Sequence, residues 1–346
     1  MMMIRTLTAG LLASAIAAPA MAQEVTLRFQ YFVSPESANP TYFMEPWAEK
    51  IEADSNGRID VQLFPFMQLG GSAANQFDLI KDGAVDGGWI IPGYQPGRFP
   101  EVEAMELPFM TPKSAEAASL AAWNFTQKYL MDDFEDIHVI TTHMHGPGIV
   151  HKTGAPVADV ADFDGLKLRG PSRPATMLLE KLGAEPIGMP VPAFPEALAR
   201  GVLDGGVITW EMSPSLKLDE LVDSHTDVAG DQAFYNLFFV WAMNKDVYEG
   251  LPEDLRAVID ANSGEMAARW AGRAHDTGDA EGRELMAAAN DIADMPEDVT
   301  EQVKALGAEV EADWIEEMNG KGFDGAALAT DAHGFVAQAV ETINAE

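Results

Sequence analysis

The segment Gly83-Ala84-Val85-Asp86-Gly87-Gly88-Trp89-Ile90 returns 118 residues later as Gly201-Val202-Leu203-Asp204-Gly205-Gly206-Val207-Ile208, with five identities in eight positions. In each copy a glycine follows an amphipathic stretch, an apolar residue packs back, and Asp-Gly leads into an apolar run. That is the chemistry of a helix closed by a left-handed cap and turned into a strand. Before the first copy, the spacing predicts a strand at Val25, Leu27 and Phe29, then a helix through Phe43, Trp47 and Ile51 that stops at Asn56-Gly57. A strand at Ile59, Val61 and Leu63 and a helix over about 73–81 follow, and Trp89 and Ile90 form a short strand. Around the second copy, it predicts a strand at 167–169, a helix from about Pro174 to Leu182 closed by Gly183, a strand near 186–188, a helix over about 194–200 and a strand near 207–210. The same order written twice predicts an α/β chain of two lobes, each a mostly parallel sheet flanked by helices. Ligands of such folds lie in the cleft, at the carboxyl ends of the strands. From Leu251-Pro252-Glu253 onward the chain is helical, and its Glu, Lys and Arg read as solvated faces. The expected division is lobe I over 23–147 with a return segment at about 235–275, and lobe II over 148–234 with C-terminal helices at about 276–346.

With 22 Lys+Arg against 55 Asp+Glu, the formal net charge is -33. A nucleic-acid partner, which needs a basic stripe, is excluded. Absence of cysteine excludes disulfides, thiolate nucleophiles and zinc–thiolate sites. The chain opens Met1-Met2-Met3-Ile4-Arg5, followed by an apolar run from Leu7 to Ala18 and Ala20-Met21-Ala22. This pattern predicts a secretory signal peptide over residues 1–22, cleaved after Ala22, because the run is far shorter than the roughly 20 residues a membrane span needs. The mature chain is then expected in the periplasm. Phe234 to Met243, interrupted by Asn236, reads as a buried strand.

Enzyme signatures are absent: there is no G-x-S-x-G elbow, Walker loop, G-x-G-x-x-G fingerprint or H-E-x-x-H helix. His143-Met144-His145, with His138 and His151 nearby, is the nearest thing to a metal site, and it keeps a metal-dependent hydrolase or lyase as the alternative class. The run Asp162-Phe163-Asp164-Gly165-Leu166-Lys167-Leu168-Arg169-Gly170-Pro171-Ser172-Arg173-Pro174 is more informative. It sets Arg169 at a strand end, just before a helix with Ser172 as N-cap, where a guanidinium fork suits a carboxylate. An arginine there also serves as an ordinary salt-bridge residue, and Arg173 reads as solvent-exposed. Trp210 either walls a cleft or fills a core. Phe32, Trp89, Tyr94 and Tyr235 fall at or beyond strand ends, each explicable as packing when taken singly.

Taken together, the order of these segments resembles the solute-binding proteins of tripartite ATP-independent periplasmic (TRAP) transporters. The resemblance is carried by Ser55-Asn56-Gly57-Arg58-Ile59, Pro65-Phe66-Met67-Gln68-Leu69-Gly70, the paired Asp-Gly turns and Gly165-Leu166-Lys167-Leu168-Arg169-Gly170-Pro171. Ala242-Met243-Asn244-Lys245 and Leu251-Pro252-Glu253-Asp254-Leu255 complete it. It implies a two-lobe periplasmic-binding-protein-like fold that captures a small organic acid and hands it to the small and large membrane subunits of an ion-driven permease. By the same resemblance, Arg169 is the carboxylate anchor. Phe32, Gly71, Ser72, the Ile91 to Tyr94 turn, Ser172, Val191 and the strand end Thr209 to Glu211 surround the pocket. Sialic-acid members carry a second arginine upstream, where this chain has Gly148 and Ile149. One strongly gripped carboxylate, with His145, Trp89, Trp210 and Tyr235 around the rest, favours a monocarboxylate with an apolar or aromatic body. Dicarboxylates, keto or hydroxy acids and sugar acids are the alternatives. The Trp210-Glu211 doublet is similar to one in keto-acid binders, where the carboxylate helps hold a cation. No cofactor is otherwise expected.

Overall fold

The computed structural model describes residues 23–346, so the expected signal peptide lies outside the described residues. Both copies of the repeated turn fold alike. Gly83 and Gly201 take φ of +70° and +67°, and the next residues, Ala84 and Val202, donate backbone N–H to Leu79 O and Ala197 O at 2.9 and 3.0 Å. The aspartates match too: Asp86 accepts from Arg28 N and Asp204 from Lys167 N, each at 2.8 Å. A short acid placed after the cap thus pins each turn to the neighbouring strand.

The first lobe begins with β1 (Val25–Gln30), α1 (Glu45–Asp54), β2 (Ile59–Phe64), α2 (Gln76–Lys81), β3 (Gly87–Ile90), α3 (Ala115–Phe125) and β4 (Ile137–Met144). The chain crosses to β5 (Gly148–Lys152), β6 (Lys167–Gly170), α4 (Arg173–Lys181), β7 (Glu185–Gly188), α5 (Phe194–Ala199), β8 (Gly205–Thr209), α6 (Leu218–Leu221) and β9 (Ser224–Asp227). It then returns through β10 (Phe238–Asn244), α7 (Lys245–Gly250), α8 (Glu253–Ala261) and the long α9 (Glu265–Ala289), before β11 (Asp291–Asp294), α10 (Glu297–Gly320) and α11 (Gly325–Asn344).

One sheet has the order β2-β1-β3-β10-β4, and the other β11-β9-β5-β8-β6-β7. Read from β7, the second repeats the first, with β5 in the place of β10. The pairs β1–β2, β1–β3, β6–β7, β6–β8 and β9–β11 are parallel, whereas β10 and β5 run antiparallel to both neighbours. The reason is connectivity. β5 and β10 are entered directly from the other lobe, through 145–147 and 228–237, and not through a crossover helix, so nothing forces them parallel. In register, Gln30 opposite Gly88 corresponds to Arg169 opposite Gly206.

The segment expected at about 276–346 in lobe II does not all belong there. β11 extends the second sheet and α10 packs against α4, but α11 lies on α3 in the first lobe. Its buried Leu328, Ala329, Ala332 and Ala339 share a core with Ala118, Ala121 and Ala122, small residues that let two helices approach closely. The long helix α9 reaches both lobes. A Cβ at Gly272 would stand 2.5 Å from Ala115 O, and one at Gly282 would stand 2.1 Å from Trp210 O.

Candidate ligand-binding site

Arg169 is the penultimate residue of β6 and has no exposed surface, a costly place for a guanidinium. Its Nε donates to Met189 O at 3.1 Å and its Nη1 to Val207 O at 2.9 Å, while the Phe194 ring lies 5.7 Å from its central carbon. Nη2 has no hydrogen-bond partner, and no described carboxylate forms an ion pair with Arg169. Five N–H groups less the two committed leave three, enough for a carboxylate to accept two in parallel. Gly206 makes room beneath, since a Cβ there would sit 2.7 Å from Arg169 Cβ. Arg169's counterpart in lobe I, Gln30, is spent internally: it donates to Gln76 Oε1 at 3.0 Å and accepts from Leu69 N at 3.2 Å.

The guanidinium faces a narrow cavity between the lobes that leaves about 20 Å³ of free volume. Lobe I contributes Phe32 and Val33 after β1, Trp89, Ile91 and Tyr94 at the end of β3, and Leu237 and Phe239 at the start of β10. Lobe II contributes Arg169, Val191, Ile208, Thr209, Glu211 and Met212, and the two crossing segments bring His145 and Tyr235. One wall is an aromatic ladder: Phe32 stacks on Trp89 at 4.9 Å and Trp89 on Phe239 at 4.6 Å. Trp89 is held by donating Nε1–H to His143 Nε2 at 2.9 Å.

The polar groups are few. Tyr94 accepts from Val191 N at 3.0 Å, a bond between lobes that leaves its hydroxyl hydrogen free. Burial pushes the Tyr94 and Tyr235 hydroxyls up, against the pull of the adjacent Arg169, so both are donors. The buried Tyr235 hydroxyl has no partner, nor has His145 Nε2 or Glu211 Oε2. Burial pushes His145 down to about 3 and leaves it neutral. Behind the site, burial pushes Glu106 up to about 8, while Phe238 N donates to its Oε1 at 2.9 Å.

Of the expected site residues, Phe32, Trp89, Tyr94, His145, Arg169, Glu211 and Tyr235 meet on this cavity. Trp210 does not. Its indole is 2% exposed and packs 5.7 Å from His151 and 5.5 Å from His225, inside the second lobe. β8 ends at Thr209, and the following turn rotates Trp210 away from the face that Ile208 occupies. Ser72 is exposed and caps a turn, its N–H donating to Asn75 Oδ1 at 2.6 Å. Ser172 is the α4 N-cap and lines an adjoining recess beside Gly93, not the Arg169 cavity. Arg173 is not a solvated side chain: it grips Glu103 through Nε and Nη2 at 2.9 and 2.6 Å and Glu317 through Nη1 at 2.8 Å.

The histidines disperse. His138 stacks on Tyr248, His143 takes the Trp89 N–H, and His151 Nδ1 lies 2.6 Å from His225 Nδ1 in the other sheet. Among the described residues, no three His, Asp or Glu gather as a metal site. Leu237 and Phe239 escaped the sequence reading, although the alternation of Leu237, Phe239 and Trp241 along the predicted strand was a usable signal. At Gly148 the Tyr235 ring fills the space above the backbone, 1.9 Å from where a Cβ would stand.

The family model for bacterial extracellular solute-binding protein, family 7 (DctP), matches residues 29–321. A TRAP solute-binding protein from Rhodoferax ferrireducens, solved with copurified benzoate, is 43% identical, covers 92% of this chain and 99% of its own, and has a TM-score of 0.89. A marine metagenome TRAP solute-binding protein specific for aromatic acid ligands, solved with 3-hydroxybenzoate, is 41% identical with the same coverages and a TM-score of 0.89. A solute-binding protein of Albidiferax ferrireducens is 26% identical over 220 residues, and the match spans 64% of each chain, just under two thirds of that relative.

Proposed function

Since the chain belongs to bacterial extracellular solute-binding protein family 7 and is a TRAP solute-binding protein, not an enzyme, we propose that it captures a small aromatic monocarboxylate at Arg169 and delivers it to the membrane subunits of a TRAP permease. The observation that carries this reading is a fully buried guanidinium with an uncommitted edge, facing a cavity walled by Phe32, Trp89 and Phe239. A carboxylate supplies the missing counter-charge and accepts from the guanidinium and from the Tyr94 and Tyr235 hydroxyls, while the ring lies along the aromatic ladder. Arg169 is the one Lys or Arg on the cavity wall among the described residues, and Glu211 occupies the same wall. A second carboxylate would find no second cation on this wall, which disfavours dicarboxylates. Likeness to proteins solved with benzoate and 3-hydroxybenzoate supports the choice.

Capture between lobes would couple binding to closure, because Tyr94 of one lobe bonds Val191 of the other across the site. The family is periplasmic, and residues 1–22 would direct export there. N-terminal sequencing of the secreted protein tests that cleavage follows Ala22. For the ligand, calorimetry with benzoate and succinate is decisive. Benzoate should bind at micromolar Kd or tighter and succinate at least 100-fold more weakly; the reverse order overturns the assignment.

A further inference from the structure

Two polar atoms in the cavity are not used by a carboxylate held at Arg169. His145 Nδ1 lies 2.6 Å from Gly146 O, and a carbonyl only accepts, so Nδ1 carries the proton. The ring, 3% exposed, therefore turns a lone pair on Nε2 into the site, and no protein donor reaches it. Its orientation is set. The ring meets Tyr235 and Phe239 edge-on at 5.3 and 5.8 Å, and Asn236 Nδ2 donates to His145 O at 2.8 Å. Glu211 also offers an oxygen, Oε2, that has no protein donor, while Thr209 Oγ1 donates to its Oε1 at 3.3 Å and its own backbone N–H donates to Asp279 Oδ1 at 2.8 Å. A buried acceptor left unmatched in a complex costs affinity. A carboxylate held at Arg169 brings no proton to His145 Nε2, so the match must come from another group on the ligand.

We infer that the preferred ligand carries, besides its carboxylate, a ring hydroxyl that donates to His145 Nε2, which is the specificity-determining atom. This rests on the aromatic-acid reading above and narrows it to hydroxyaromatic acids. A lone pair selects for a hydroxyl over hydrogen or a methyl ether at the same position, since only the hydroxyl brings a proton.

Calorimetry at pH 7.5 with benzoate, the three hydroxybenzoates and the three methoxybenzoates reads this directly. At least one hydroxybenzoate should bind ten-fold or more tighter than both benzoate and its own methyl ether. In His145→Phe, which keeps a ring but removes the nitrogen, that ratio should collapse toward one. Benzoate binding as tightly as every hydroxybenzoate overturns the inference while leaving the aromatic-acid reading intact. Failure of all seven acids to bind overturns that reading itself. A ratio that survives in folded His145→Phe removes His145 as the selecting atom. Should His145→Phe not fold, the hydroxy-to-methoxy ratio of the unaltered protein decides alone: ten-fold or more supports the donor requirement, and parity refutes it.

Discussion

Replacing Arg169 by methionine separates binding from folding at the residue on which the site depends. Methionine keeps an apolar stem over Phe194 and deletes the charge. In the ligand complex, the loss is a charge-assisted pair in a dry cavity, which costs about 2–5 kcal/mol, or roughly 30- to 4,000-fold in Kd. Without ligand the balance differs. The bonds to Met189 O and Val207 O are lost at about 1 kcal/mol each, but a buried cation with no counter-charge is relieved at the same time. The unliganded melting temperature should therefore move by only about 2–6 °C, taking about 2–4 °C per kcal/mol for domains of this size. Titration calorimetry with benzoate and thermal unfolding of the ligand-free protein give the two numbers. Binding within three-fold of the unaltered protein would refute the anchor role. A ligand-free melting point falling well beyond that range would show that Arg169 mainly holds the fold together.

Arg169→Lys should recover only part of the affinity, because the ammonium keeps the charge and loses the parallel fork; calorimetry should place it between wild type and Met. Glu106→Gln should change the pH profile of stability. A carboxyl raised from 4.5 to about 8 contributes stability below pH 4.5 that is lost as pH rises toward 8, so the glutamine variant should gain about 2–4 kcal/mol on the wild type between pH 5 and 8.5 in denaturant melts. A constant difference would contradict this. His145, lowered to about 3, has the opposite sign: its contribution is complete above pH 6.5 and disappears as pH falls toward 3. Gly148→Ala should cost about 1–3 kcal/mol and weaken benzoate binding, since the methyl would displace the Tyr235 ring. Trp210→Phe should lower stability by about 1–2 kcal/mol with benzoate affinity held within three-fold, because its indole packs between histidines outside the cavity.

Local chemistry was legible without the fold. The repeated Gly-x-x-Asp-Gly-Gly turn, the period-2 runs and the helix stops depend on residues a few positions apart, so the order of strands and helices could be read from the chain. Arg169 could be placed at a strand end next to a helix start for the same reason. Trp210 could not be assigned in this way, because alternation holds only while a strand lasts and β8 ends one residue earlier. Ser172 sits at its N-cap but serves the recess next door. The antiparallel placement of β5 and β10 depends on where the chain crosses between lobes, and the docking of α11 on the first lobe on which apolar faces meet between segments far apart in the chain. His145 and Tyr235 stand beside Arg169 only because the two crossing segments close over one cleft. Sequence alone determined what each segment would become, since those preferences act over one turn or one strand. Tertiary structure decided which donors and acceptors share a cavity, because desolvation and charge pairing act through space between residues that the chain keeps far apart.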